Sequence, residues 1–256
     1  MTNIAFTVRG EGSPIILIHG FPFHQKIWDD FAVKLSATAK VYTPDLPGFG
    51  KSPILGNGFS LDDVADELLI WLASEGINQA ILVGHSLGGY VALAMARKKS
   101  NLFPGIILFH STALPDSDEK KESRSKVVTF VRQNGAEKFT ANFIEPLFVD
   151  GNNPAVARVR EIAKQSSAQA VIAYTEAMRD RKSHEGFLSE FRKPILFLAG
   201  EKDQGIPISS IHQQAAISQK AEVHTLNHSA HMGMFEQEME AVQAIGDFIA
   251  RTLPRG

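Results

Sequence analysis

The sequence predicts an α/β fold, a mostly parallel, doubly wound sheet of about seven strands interrupted by one helical insertion. Three observations carry this. Strand-length apolar runs such as Ile15-Ile16-Leu17-Ile18 and Ile106-Ile107-Leu108-Phe109 are continuous rather than alternating, as in strands covered by helices on both faces. Segments of helical period separate them, so strand and helix alternate and the strands pair in parallel. Between Thr112 and Lys193 the strand signal stops and helix-like segments take over.

In chain order, strands are expected near 3–8, 14–19, 38–43, 80–84, 104–109, 194–199 and 221–226. Helices are expected at 25–36, 60–75, 86–99, 207–218 and 233–252. The helix at 60–75 has Ser60 as N-cap, Asp62 and Asp63 in the first turn favourable to the dipole, and Gly76 for a left-handed C-cap. The insertion offers helical segments at 118–132, 135–143, 154–164, 167–180 and 184–191. It lies between two sheet strands, at the end where catalytic loops sit. Residues 112–193 are therefore expected to form a cap over a core built from 1–111 and 194–256.

Composition narrows the function classes. At 256 residues and 44% hydrophobic content the chain can bury a large core. A formal charge of −2 and the lack of a basic face predict no nucleic-acid or membrane partner. With no cysteine there is no disulfide, thiolate metal site or cysteine nucleophile. The first residues lack a charged n-region and a long apolar stretch, so a cytoplasmic location is expected.

Chemistry enters at Gly84-His85-Ser86-Leu87-Gly88, set between the apolar run Ala80-Ile81-Leu82-Val83 and a small-residue helix. A strand–turn–helix this tight lifts a serine hydroxyl clear of the sheet and strains its backbone, and glycines at 84 and 88 permit the close approach. A serine nucleophile needs a base, and the base an orienting group. Of nine histidines, His19 and His85 flank turn glycines, His224 falls in a strand, and His184 and His212 lie on polar segments. His228 and His231 lie in the loop after the last strand, where a base is expected. His231 is preferred, because the final helix begins directly after it. Asp203, just past the apolar strand 194–199, is the best-placed acid, with Glu201 and Asp116 as fallbacks. Two backbone N–H groups should form an oxyanion hole: Leu87, opening the helix after the serine, and Phe21, in the loop after Ile15–Ile18. Pro22 has no N–H to offer.

Together His19-Gly20-Phe21-Pro22, Asp45-Leu46-Pro47-Gly48-Phe49-Gly50-Lys51-Ser52, Gly84-His85-Ser86-Leu87-Gly88-Gly89, Gly200-Glu201-Lys202-Asp203 and Ser229-Ala230-His231-Met232-Gly233 resemble the α/β-hydrolase superfamily over nearly the whole chain. The resemblance implies Ser86, Asp203 and His231 as catalytic triad, Phe21 and Leu87 as oxyanion donors, a structural role for the Asp45 turn, and no metal or organic cofactor. The size and single cap are similar to small carboxylesterases and enol-lactonase-like enzymes, which implies a small ester or lactone substrate cleaved through an acyl-enzyme. Carbon–carbon bond hydrolysis, perhydrolysis (suggested by Pro22 beside the oxyanion donor) and a non-turnover receptor on the same fold are the alternatives. Serine at 86, where epoxide hydrolases and haloalkane dehalogenases carry aspartate, and a single cap tyrosine, Tyr174, point away from those two activities. In the cap, Phe139, Phe143, Leu147, Phe148 and Met178 are expected mainly to pack, with a few lining an apolar pocket; His110, at the end of the strand 106–109, is placed within reach of that pocket but not in the base role, which His231 fills better. Oligomeric state is not legible in the sequence.

Overall fold

The computed structural model describes residues 3–56 and 58–253. The chain runs β1 (Phe6–Arg9), β2 (Pro14–Ile18), a 3-10 turn (Gln25–Trp28) leading into α1 (Asp29–Leu35), β3 (Lys40–Pro44), α2 (Leu61–Ser74), β4 (Ile81–His85), α3 (Leu87–Lys98) and β5 (Ile106–Phe109). Five helices follow: α4 (Asp118–Asn134), α5 (Ala136–Phe143), α6 (Ala155–Ala163), α7 (Ala168–Arg179) and α8 (Glu185–Glu190). The sheet resumes with β6 (Ile195–Gly200), α9 (Ile208–Ala215), β7 (Ala221–Leu226), α10 (Gly233–Glu236) and α11 (Glu238–Thr252).

The seven strands form one sheet in the order β1-β3-β2-β4-β5-β6-β7, antiparallel at β1–β3 and parallel elsewhere. Strand side chains alternate between two apolar layers. Ile16, Leu82 and Leu108 join the core under α2 and α3, while Ile15, Ile81 and Ile107 join the one under α1 and α11. Both faces being buried explains why these strands read as unbroken apolar runs. The winding direction reverses between β2 and β4, and ligands in open α/β sheets bind beyond the carboxyl ends of strands at such a reversal. Ile18 pairs with Gly84 there, so the loop after β2 and the turn after β4 lie side by side.

Local signals hold at α2. Ser60 Oγ accepts the Asp63 N–H (3.2 Å), the Asp63 carboxylate accepts the Ser60 N–H (2.8 Å), and Gly76 closes the far end at φ +67°. Two expected helices are broken. The 25–36 segment begins as a 3-10 turn, and the final helix is interrupted at Gln237 (φ −135°, ψ 52°). There the Gln237 side chain accepts the His228 N–H (2.6 Å) and Glu236 turns back onto the preceding loop, so tertiary hydrogen bonds replace helical continuity.

The β5–β6 excursion contains no strand among the described residues. It is tied down at Tyr174, whose buried hydroxyl donates to the Pro47 carbonyl (2.9 Å), and at Ser166, whose hydroxyl donates to Pro22 O (2.7 Å). Among the described residues no helix is long and apolar enough to cross a membrane.

Candidate active site

Ser86 stands between β4 and α3 at φ 51°, ψ −114°, a conformation that costs an L-residue about 1–3 kcal/mol. The surroundings hold it there. Its N–H donates to Phe109 O (3.0 Å), and its carbonyl accepts from the Gly89 N–H (2.9 Å) and from the Ser111 hydroxyl (2.7 Å). Glycine is required on both sides. A Cβ on Gly84 would lie 2.4 Å from Gly88 O, and one on Gly88 would lie 2.2 Å from Ile18 O. The second approach draws the first turn of α3 against the end of β2. Leu87, the first residue of α3, is thereby set beside the loop that carries Phe21, and a first helical N–H has no ladder partner to claim it.

The loop after β6 brings Asp203 to the loop after β7. The His231 Nδ1–H donates to Asp203 Oδ2 (2.7 Å), which leaves Nε2 as the basic nitrogen. Asp203 Oδ1 accepts the Gly205 and Ile206 N–H groups (2.9 and 3.1 Å). Burial opposes ionisation of Asp203, but the His231 and His110 rings outweigh it and hold the carboxyl far below its ordinary range. The His231 backbone is clamped on two sides: its N–H donates to Leu147 O (2.9 Å) and its carbonyl accepts from His85 Nε2–H (2.9 Å). Glu236, which sequence reasoning passed over, steadies the same loop by accepting the Ala230 N–H (2.9 Å) and the Ser229 hydroxyl (3.0 Å).

His110 corrects an expectation. It does not line the pocket; it is buried behind it, at φ 46°. Its Nε2 meets the Gly233 N–H (3.0 Å), and its Nδ1 meets the Gly200 N–H (3.1 Å) and Asp203 Oδ2 (3.6 Å). A neutral imidazole carries one proton, so its two nitrogens cannot both accept. One nitrogen therefore accepts a backbone N–H, from Gly233 or from Gly200, and the other carries the proton. One ring from β5 thereby braces the loop of Asp203 and the loop of His231. The only sequence cue was its place at the end of a sheet strand.

The remaining titratable groups are committed elsewhere. His19 Nδ1–H donates to Gly20 O (2.9 Å) and its Nε2 accepts the Leu46 N–H (2.9 Å); burial lowers its pKa from 6.5 to about 4. Burial likewise keeps His85 neutral. Asp45 staples its own loop by accepting from the Gln25 and Lys51 N–H groups (2.8 and 2.9 Å). His228 and His212 are exposed, whereas His184, expected on an exposed segment, is partly buried. Of the fallback acids, Asp116 is buried between Arg124 and Arg181, and Glu201 pairs with Lys202 (3.0 Å).

A cavity of about 380 Å³ opens over Ser86 and His231. Phe21, Phe139, Phe143, Leu147 and Met178 supply apolar wall, so four of the five cap residues expected mainly to pack face the cavity, while Phe148 is buried in the core instead. Lys120, Ser123, Arg124 and Gln204 supply polar wall. His110, Asp203 and His231 place one potential metal-ligand atom each within 4.8 Å of one another. His231 Nδ1 and Asp203 Oδ2 are already hydrogen-bonded to each other and His110 Nδ1 meets the Gly200 N–H, so the set fits a hydrogen-bonded histidine–carboxylate pair better than a metal.

Residues 15–245 match the Alpha/beta hydrolase family. Among curated proteins, the dihydrolipoyllysine-residue acetyltransferase component of the acetoin cleaving system of Pseudomonas putida is 27% identical over 96% of this chain, which spans 66% of that protein's length. The pimeloyl-[acyl-carrier protein] methyl ester esterase of Methylococcus capsulatus is 27% identical, covering 94% of this chain and 96% of its own. Among solved structures, a malate-bound thermophilic esterase from Thermogutta terrifontis superposes with a TM-score of 0.92 at 29% identity, covering 97% of this chain and 93% of that one. With the family matched from the second strand to the last helix, the chain belongs to the alpha/beta hydrolase family.

Proposed function

We propose that the protein is a serine hydrolase that cleaves a small carboxylic ester or lactone through an acyl-enzyme, with Ser86 as nucleophile, His231 as base and Asp203 as orienting acid. Carboxylic ester hydrolysis is its enzymatic class, in keeping with the esterases it resembles. One observation carries the residue assignment: the His231–Asp203 hydrogen bond of 2.7 Å lies beside a cavity that also holds Ser86 at the tip of a positive-φ turn.

In this mechanism Ser86 Oγ adds to the substrate carbonyl as His231 Nε2 takes its proton. Asp203 fixes the imidazole tautomer and stabilises the imidazolium. The Phe21 and Leu87 N–H groups receive the tetrahedral oxyanion, each donor contributing about 3–4 kcal/mol to the barrier reduction. Collapse expels the alcohol, which takes the proton from His231. Water, deprotonated by the same imidazole, then releases the acid and restores the serine. Helices α4 to α8, with their connections across 112–193, serve as the cap, since Phe139, Phe143 and Met178 roof the cavity. Nothing at Tyr174 supports epoxide opening, because its hydroxyl is spent on Pro47.

Ser86→Ala tests the reading. It should lower kcat for p-nitrophenyl acetate by roughly 10⁴-fold or more and abolish labelling by a fluorophosphonate, with folding retained. Turnover within tenfold of the unaltered protein would put the nucleophile elsewhere.

A further inference from the structure

Four residues of α4, Lys120, Ser123, Arg124 and Val127, line the cavity. They recur at i, i+3, i+4 and i+7, so a single stripe of this helix faces the proposed catalytic residues. Two of the four are cations one turn apart. Like charges at i, i+4 repel, and a lysine in the first turn of a helix opposes the dipole, so the helix holds this pair at a cost to itself.

Asp203 also lines the cavity, but its carboxylate is taken up by His231 and by the Gly205 and Ile206 N–H groups, and the charges on the Lys120 side do not cancel. Asp116 is fully buried and shared by Arg124 and Arg181, the latter at 2.7 Å, so this trio carries one net positive charge. Arg181 is itself sequestered, 4% exposed and stacked over the Tyr90 ring at 4.1 Å. Arg124 is the member that reaches the cavity. Lys120 adds a second positive charge. The other α4 cations pair with carboxylates: Lys121 with Asp118, Lys126 with Glu122 and Arg132 with Glu176. Among the described residues Lys120 has no carboxylate partner. Its ammonium crosses to Gly205 O (3.2 Å), on the loop that carries Asp203, and keeps two N–H donors uncommitted by that bond. Phe21, Phe139 and Phe143 give the same cavity apolar wall.

We propose that Lys120 and Arg124 form a carboxylate-binding subsite, so that the preferred substrate is an ester bearing a free carboxylate at the far end of an apolar chain, a half-ester of a dicarboxylic acid. This rests on the ester-hydrolase reading above and specifies its substrate class. Ester cleavage proceeds at Ser86 as before, and the subsite fixes the non-reacting end of the substrate.

The test compares monomethyl with dimethyl esters of the C4 to C8 dicarboxylic acids, by initial rates in a pH-stat at pH 7.5, with free adipate as a competitive inhibitor. At one or more chain lengths the monoester should have a kcat/KM at least tenfold above its diester. Lys120→Met should bring that ratio toward one and raise the inhibition constant for adipate about tenfold, while Lys120→Arg should retain most of the preference. Lysine is the position to change, because removing Arg124 would strip a partner from buried Asp116. Added salt at 0.5 M should weaken the preference by screening. Turnover of both esters with no preference at any length, or a preference that survives Lys120→Met, would overturn the subsite and leave the ester reading standing. No turnover of either ester would overturn the ester reading and the subsite with it.

Discussion

Asp203→Asn is the sharpest perturbation of the proposed mechanism, because it changes one atom and the structure dictates how the new amide sits. Oδ1 of Asp203 accepts two backbone N–H groups, from Gly205 (2.9 Å) and Ile206 (3.1 Å). An asparagine must keep its carbonyl oxygen there, since an NH₂ would set donor against donor. Its NH₂ then occupies the place of Oδ2, 2.7 Å from His231 Nδ1. That nitrogen becomes the acceptor and the imidazole proton moves to Nε2, so in the proposed mechanism the ring can no longer take a proton from Ser86. Rotating the amide to rescue the tautomer would orphan two N–H groups, at about 1–3 kcal/mol each when buried, and the imidazolium would still lack its counter-charge. The expected fall in kcat is about 10⁴-fold, or roughly 5.4 kcal/mol of barrier. Both loop hydrogen bonds survive, so the thermal midpoint should move by only a few degrees. Release of p-nitrophenol from p-nitrophenyl acetate reports the rate, and a calorimetric melt reports folding. A folded variant within tenfold of the unaltered rate would refute the assignment of Asp203 and the tautomer argument with it.

Two further outcomes follow from the buried histidines. His110→Asn, which tolerates the positive φ at that position, removes the ring that meets the Gly233 and Gly200 N–H groups. It should lower stability by about 1–3 kcal/mol and kcat about tenfold, with KM within twofold because His110 does not reach the cavity; a loss confined to stability would make its role purely structural. Burial lowers His19 and His184 from 6.5 to about 4, so between those values the unfolded chain binds protons that the folded one refuses. Stability by urea unfolding should therefore be fully present above about pH 6.5 and fall as pH drops toward 4, by about 3 kcal/mol for His19 alone. A flat profile over that window would show these rings to be protonated, or solvated, in the folded state.

Several parts of this molecule were legible because they are local. The Ser86 turn is written in five consecutive residues, since close backbone approach needs glycine whatever surrounds it. The N-cap at Ser60 and the closing glycine at 76 are settled within one helical turn. Buried strands announce themselves because both faces of each must be apolar. His231 and Asp203 could be named as candidates, because the loops that follow the sheet strands converge at one edge of a parallel sheet.

Other features depend on residues distant in the chain. Whether Asp116 served as an acid or an ion-pair partner was decided by Arg124, on α4, and Arg181, in the loop after α7. His110 became a brace because β5 lies between β4 and β6, a neighbour relation that periodicity does not encode. Which of the cap's apolar residues line the cavity, Phe139, Phe143 and Met178 among them, was hidden too, since an apolar stripe reads the same over a core or over a substrate. The sequence by itself determined the alternation of strand and helix, the strained serine turn and the absence of cysteine chemistry. The tertiary structure alone decided which charges cancel, which imidazole braces and which stripe of α4 faces the cavity, because charge neutralisation and proton placement follow from distances across loops tens of residues apart.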